Sequence, residues 1–174
     1  MQYTRIDTDI GTFGLAWTDK GVRSVALPGG GRVESWVSDE GAEPGTPDGV
    51  LAPLPDMIRR YGQGEHIDFS NVPLDLTGIA EFNLNAYAEL LKIPYGETTT
   101  YGAIARTLGD LALARAVGAA MGQNRIPLII PCHRVLGANG KPVGFSAPGG
   151  VTSKMRLLAL EHAASPTGQY AFGF

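Results

Sequence analysis

A chain of 174 residues, 44% hydrophobic and 18% charged with a net charge of −3, is long enough to bury one or two real cores. No apolar run approaches the roughly 20 residues that span a bilayer, and the polar start "MQYTRIDTDIG" is unlike a signal peptide, so a cytoplasmic, intracellular protein is expected. The single cysteine excludes an internal disulfide, and Cys132, His66, His133 and His162 lack zinc-like spacing, so no metal is expected.

The first quarter reads as strands. "YTRIDTDI" alternates loosely, "GTFGLAWT" follows, and "VRSVAL" comes after the turn Asp19-Lys20-Gly21, where glycine suits a positive φ. "PGGGR" and "SDEGAEPGTPDGV" are turn-rich and polar, so they read as loops or an insertion. "PLPDMIRRYGQG" predicts a short helix from near Pro55 to Gly62 or Gly64, and "HIDFSNVPLDL" a last strand and connector.

The texture changes after residue 78. "IAEFNLNAYAELLKI" puts Ile79, Phe82, Ala86 and Leu90 on one helical stripe, with Tyr87 and Leu91 beside it, and "PYGE" ends the helix. "TTTYGAIARTLGD" offers a threonine N-cap and then Tyr101, Ile104, Ala105 and Leu108 at i, i+3, i+4 and i+7. After Gly109-Asp110, "LALARAVGAAMG" forms another helix, and the pair has the pattern of a helix-turn-helix. Leu113, Ala116, Val117, Ala120 and Met121 can face inward. The other face, Ala114, Arg115, Gly118, Ala119 and Gly122, is bare apart from one guanidinium. That face suits either another macromolecule or a tightly packed neighbouring helix.

Charge differs between the halves: residues 1–93 hold 7 Lys/Arg against 14 Asp/Glu (−7), and residues 94–174 hold 7 against 3 (+4). A basic second half can meet an anionic partner, although chance segregation explains the split as well. Fold class follows as α/β (α+β): a small N-terminal sheet domain with a helix over 1–77, a mainly helical C-terminal domain with a helix-turn-helix over 78–162, and a flexible tail over 163–174.

Cys132 closes the apolar run "RIPLII" and is followed by His133. A free thiol is mostly protonated at neutral pH, and an imidazole within reach makes its thiolate accessible. A carboxylate would then orient the imidazole. Only Glu97, Asp110 and Glu161 are acidic after residue 93. Glu161, at the end of the helical "SKMRLLALEH" with Met155, Leu158 and Ala159 inward, is the candidate orienter, and His162 is a competing base. A lone cysteine after apolar residues is also the pattern of a small buried hydrophobe.

"IPCHRV" at 130–135, with "YGETTTYGAIA" and "ARAVGAAMGQNRIPLI" before it and "GF" and "KMRLLALE" after it, resembles the O6-alkylguanine-DNA alkyltransferases. The resemblance runs from about Phe82 to Glu161, and more loosely over "IGTFGLAWTDKGVRSVAL". It implies Cys132 as alkyl acceptor, His133 as the base acting through a water, Glu161 as the acid completing the relay, and Asn124 as the tie between helix-turn-helix and active-site turn. It further implies that Arg115 fills the gap left by an extruded guanine and that Tyr101 assists rotation and binding of the nucleotide. Thr100, Gly118 and Ala119 join them at the DNA surface, docked in the minor groove. Pro127, Val135, Phe145 and Ser146, with Tyr101, line the guanine pocket.

The same resemblance implies a single-turnover transferase without cofactor, a monomer whose partner is double-stranded DNA carrying O6-alkylguanine and, by extension, O4-alkylthymine. This chain departs from the family pattern at Phe145, where tyrosine is more usual, at the two-residue insertion Ala147-Pro148, and at Gly122-Gln123, where some members are basic. A non-catalytic protein that only binds alkyl lesions is the alternative reading, and a cysteine hydrolase or redox thiol protein is a third.

Overall fold

The computed structural model describes residues 1–29, 33, 35, 39–147, 149–165, 168 and 169. Its backbone divides into two units: Met1–Thr77 with Arg125–Ile129, and Gly78–Asn124 with Ile130–Phe174. Residues 125–129, expected within the second domain, thus group with the first.

In the first unit β1 (Gln2–Thr8), β2 (Gly11–Thr18) and β3 (Gly21–Ala26) form an antiparallel meander. β4 (Glu43–Pro44) adds in parallel to β1, giving the order β3-β2-β1-β4. β2 is central, and Phe13 to Trp17 are all buried, so this strand is covered on both faces. Gly21 takes φ +135, and a Cβ there would lie 2.3 Å from the Pro73 carbonyl oxygen, so only glycine fits the turn. α1 (Leu54–Gly62) buries Leu54, Ile58 and Tyr61, and the Tyr61 ring lies 5.9 Å from that of Phe69.

Two expectations fail in this unit. The segment 66–76 is not a strand: it makes one bridge, Val22 to Leu74, because Pro73 lacks a donor and Ser70 turns back onto Asp68 (2.8 Å). The loop around Glu43 instead supplies an edge strand. Of the turn-rich "PGGGR" at 28–32, residues 30–32 lie outside the described residues.

Asp75 clasps the end of the unit. It accepts from Thr18 Oγ1 (2.8 Å) and the Thr77 amide (3.0 Å), and Arg23 stands 3.6 Å away. Burial pushes its carboxyl pKa up, but Thr77, Thr18 and Arg23 outweigh it and hold it down at about 2. The Arg125–Ile129 segment joins this unit through the Arg125 carbonyl, which accepts from the Val25 amide (2.9 Å) and Ser24 Oγ (2.9 Å). Leu128 within it is buried at φ 77, a strained backbone for a bulky side chain.

In the second unit α2 (Glu81–Leu90) buries Ala86, Tyr87 and Leu90, and Tyr87 donates its hydroxyl to the Ala120 carbonyl (2.8 Å). α3 (Tyr101–Thr107) starts at Thr100, whose hydroxyl accepts from the Ala103 amide (3.1 Å). Asp110 caps a short 3-10 turn, Leu111–Leu113, and α4 (Ala114–Gly122) follows. Val117, Ala120 and Met121 are buried as expected, but Ala116 is exposed and belongs to the outer face with Arg115, Ala119 and Gly122.

β5 (Thr99–Thr100) pairs in parallel with β6 (Val135–Leu136), which sets the start of α3 beside the chain that leaves Cys132–Arg134. α5 (Val151–Leu160) buries Lys154, Leu157, Leu158 and Leu160, while Met155 and Ala159 are half-buried. The tail expected to be loose starts with order: Ala163 is buried against Leu136 and Leu158, and β7 (Ala164–Ser165) pairs with β8 (Gly168–Gln169). Residues 166, 167 and 170–174 lie outside the described residues.

Candidate active site

Cys132 opens a short 3-10 turn, Cys132–Arg134, and is buried. The turn is fixed by the Ile130 carbonyl, which accepts from the Cys132 amide (2.8 Å) and from Asn124 Nδ2 (2.9 Å). Asn124 thereby joins the end of the helix-turn-helix to the thiol-bearing turn. Burial pushes the Cys132 thiol pKa up; the Asn124 side chain, the Lys154 ammonium and the Cys132 and His133 amides act in the opposite direction. The sulfur is therefore buried among polar groups.

His133 is fully buried, and its Nε2 lies 2.7 Å from Glu161 Oε1. His162 is exposed, so the structure picks His133 as the partner of Glu161. Arg134 donates from Nε to Glu161 Oε2 (2.8 Å), from Nη2 to Oε1 (3.0 Å) and from Nη1 to the Ile93 carbonyl (2.6 Å). The Gly96 amide adds a fourth donor to Glu161, at 3.2 Å. Gly96 has φ +77 and a Cβ would meet the Glu161 carbonyl oxygen at 2.9 Å, so glycine is needed in the "PYGE" turn.

Burial acts to raise the Glu161 pKa, yet His133 and Arg134 hold the carboxyl well below the usual range. An ionised carboxylate only accepts, so Nε2 carries the ring proton and Nδ1 is the lone pair. Nδ1 is buried with no hydrogen-bond partner among the described residues. Burial lowers the His133 pKa; Glu161 opposes this, and Arg134 and Lys154 reinforce it. Burial and the two cations thus disfavour the imidazolium form of the ring.

Lys154 is a further member of the site. Its Nζ donates to the Val143 carbonyl (2.9 Å) and to Tyr101 Oη (3.5 Å), and it lies 5.5 Å from the Tyr101 ring centre and 5.9 Å from that of Phe145. Tyr101 in turn donates to the Val143 (3.1 Å) and Gly144 (2.9 Å) carbonyls. Ser146 Oγ donates to the Gly122 carbonyl (3.1 Å). Tyr101 and Phe145 thus flank the Lys154 ammonium, Ser146 follows on the same loop, and Val135 is buried in β6 just after the turn. Burial lowers the Lys154 pKa to about 8, against the pull of Cys132. Pro127 is buried in the segment that groups with the first unit. Pro148 of the Ala147-Pro148 pair lies outside the described residues.

Arg134 and Lys154 are the residues that sequence reasoning missed. Lys154 is at i, i+3, i+4 and i+7 with Leu157, Leu158 and Glu161, so a lysine on the apolar face of a helix was the available signal. Arg115 and Ala119 are exposed on α4, Gly118 is half-buried there, and Thr100 is the α3 cap. Among the described residues no three His, Cys, Asp or Glu side chains gather as a metal site, and no helix is long and apolar enough to cross a membrane.

Residues 81–163 match the DNA-binding domain family of 6-O-methylguanine DNA methyltransferase. The chain is 46% identical to a methylated-DNA–protein-cysteine methyltransferase of Mycobacterium tuberculosis over 70% of its length and 72% of the relative's. It is 37% identical to one from Mycolicibacterium paratuberculosis over 99% of both chains. The crystal structure of Mycobacterium tuberculosis OGT in complex with DNA is similar at a TM-score of 0.75 and 38% identity, covering 92% of each chain. A lone thiol, the base beside it and the helix-turn-helix it is tied to all fall in the stretches these proteins share, and the chain belongs to the methylated-DNA–protein-cysteine methyltransferase family.

Proposed function

We propose that this chain repairs O6-alkylguanine in DNA by moving the alkyl group irreversibly onto Cys132. The observation that carries the reading is the buried thiol followed by a ring whose Nε2 is committed to Glu161 and whose Nδ1 lone pair is free to accept a proton. His133 takes the thiol proton through a water, and Glu161 stabilises the imidazolium. Sulfur attacks the alkyl carbon, the S–C bond forms as the C–O6 bond breaks, and the electron pair leaves on guanine, which regains one proton. A thioether is not hydrolysed, so each molecule acts once and this chemistry needs no cofactor.

Double-stranded DNA carrying the lesion is the partner. The alkyl carbon on O6 lies at the major-groove edge, away from a protein docked in the minor groove, and Cys132 is buried, so the nucleotide is extruded to reach the thiol at a cost of a few kcal/mol. The outer face of α4, with Ala116, Ala119 and Gly122 exposed, supports a close backbone approach to the minor groove, and the exposed Arg115 on the same helix is the long side chain that fills the gap in this reading. Tyr101, Val135, Phe145 and Ser146 receive the guanine. One thiol per lesion requires no second subunit, which fits an intracellular monomer.

Intact-protein mass spectrometry after mixing with a duplex containing O6-methylguanine tests this. A gain of about 14 Da on the Cys132 peptide is expected, one CH₂ per molecule. Tight binding without that gain would replace the reading by a lesion-binding protein.

A further inference from the structure

We propose that Arg134 is a positioning residue that keeps His133 an uncharged proton acceptor, by sharing the Glu161 carboxylate on which the ring is held. The inference rests on the alkyl-transfer reading of this site and deepens it.

The argument is one of charge balance in a buried cluster. Glu161 is enclosed, and so is His133. A buried carboxylate facing only a neutral imidazole would be an uncompensated charge, and the ring would relieve it by taking a proton from solvent. An imidazolium already formed has no lone pair with which to accept the thiol proton. Arg134 changes that balance. Its fork places Nε 2.8 Å from Oε2 and Nη2 3.0 Å from Oε1, so the carboxylate is matched by a permanent cation before the ring is counted.

Glu161 Oε1 is then shared between Arg134 Nη2 and His133 Nε2. The carboxylate still selects the tautomer with the proton on Nε2, which leaves Nδ1 as acceptor, but it no longer draws a second proton onto the ring. The fork is itself held from a third side, since Nη1 donates to the Ile93 carbonyl (2.6 Å) just beyond α2. The Gly96 amide adds a further donor to Oε2.

The other titratable groups around the ring act consistently. Lys154 from α5 is a second cation that opposes an imidazolium, and Cys132 and Tyr101 are neutral in their resting forms. Tyr95 is occupied by the Leu160 carbonyl (2.9 Å). When Cys132 passes its proton to His133, the thiolate and imidazolium add one charge of each sign, so the cluster's total is unchanged. The proton therefore moves within the cluster rather than being gained from solvent.

The test is the titration of the His133 ring in ¹⁵N-labelled full-length protein, followed by long-range ¹H–¹⁵N NMR, beside the pH–rate profile of methyl transfer. Wild-type His133 is expected neutral at pH 7, protonated on Nε2, with a midpoint below the ordinary value of about 6.5. An imidazolium at pH 7 would overturn the proposal. Arg134→Gln is expected to raise the midpoint by about one pH unit or more and to move the acid limb of the rate profile the same way. Arg134→Lys, which keeps the charge, restores the midpoint in large part. A structural role alone would lower the rate without moving the ring's titration, and an unmoved midpoint in Arg134→Gln refutes the inference. Should neither variant fold, the wild-type titration decides. Failure of alkyl transfer itself shows separately, as no mass gain on wild-type Cys132.

Discussion

Lys154 and Glu161 stand seven residues apart on the inward side of α5 and its C-terminal cap, both buried and opposite in charge. Seven residues make about two turns and roughly 10 Å of rise. One helix thus delivers an ammonium to the Tyr101 loop and a carboxylate to His133, with Leu157 and Leu158 between them as the packing that fixes both. A carboxylate at a helix C-terminus faces the negative end of the helix dipole. Arg134 and His133 offset that penalty, so the helix end is held by the same contacts that build the site.

Lys154→Met should remove the cation that favours the thiolate. The Cys132 pKa is expected to rise by about one unit, cutting thiolate about tenfold at neutral pH. Iodoacetamide alkylation across pH measures this directly. In the wild type the ammonium itself titrates at about 8, so its help to the thiolate fades above that pH.

Glu161→Gln keeps the shape but leaves the Arg134 fork without its counter-charge. Breaking a buried pair this way should cost about 3 kcal/mol of stability, read by urea denaturation. The His133 titration midpoint should fall, opposite in sign to the Arg134→Gln change, and methyl transfer at neutral pH should slow. An unchanged pH–rate profile would remove Glu161 from the relay.

Arg115→Ala should separate DNA handling from chemistry. Arg115 is exposed on α4 and has no part in the hydrogen bonds around Cys132. The variant is expected to react slowly with an O6-methylguanine duplex and nearly normally with free O6-benzylguanine. Equal loss on both substrates would place Arg115 in the fold rather than at the duplex.

Acid sensitivity should follow the carboxylates. Asp75 titrates at about 2 and Glu161 well below the usual range, whereas an unfolded chain's carboxyls titrate near about 4. The unfolded chain therefore binds more protons, and stability rises with pH through this interval. The contribution is complete above about pH 5 and is lost progressively as pH falls toward 2. Asp75→Asn should cost about 1–2 kcal/mol at pH 7, shrinking below pH 4. Thermal melts at both pH values check the sign.

Elements with a strong period are readable from residues alone. β1 to β3, the helix after Pro53 and the two helices around Gly109-Asp110 all carry alternation, caps or turn residues that act locally. β4 is not readable, since a two-residue edge containing Pro44 has no period to detect. Ala116 lies on the opposite face from the one its spacing suggests because alanine fits either face of a helix, and helical spacing leaves such a boundary position open. In the site, Cys132, His133 and Glu161 are legible as chemistry. Arg134 is not, because a long cation is ordinarily a surface residue and only tertiary packing reveals when it is enclosed, and Lys154 offers only its place on the apolar face of a helix as a signal.

Asn124 and Ile130 are bound to each other in the second unit, yet the five residues spanning them pack with the first. A gene fragment opening at Gly78 would therefore inherit the buried Ile126, Leu128 and Ile129 without the Met1–Thr77 unit they group with. A shortened or grafted version of the thiol-bearing turn therefore has to redesign that five-residue excursion or bring along the unit it groups with.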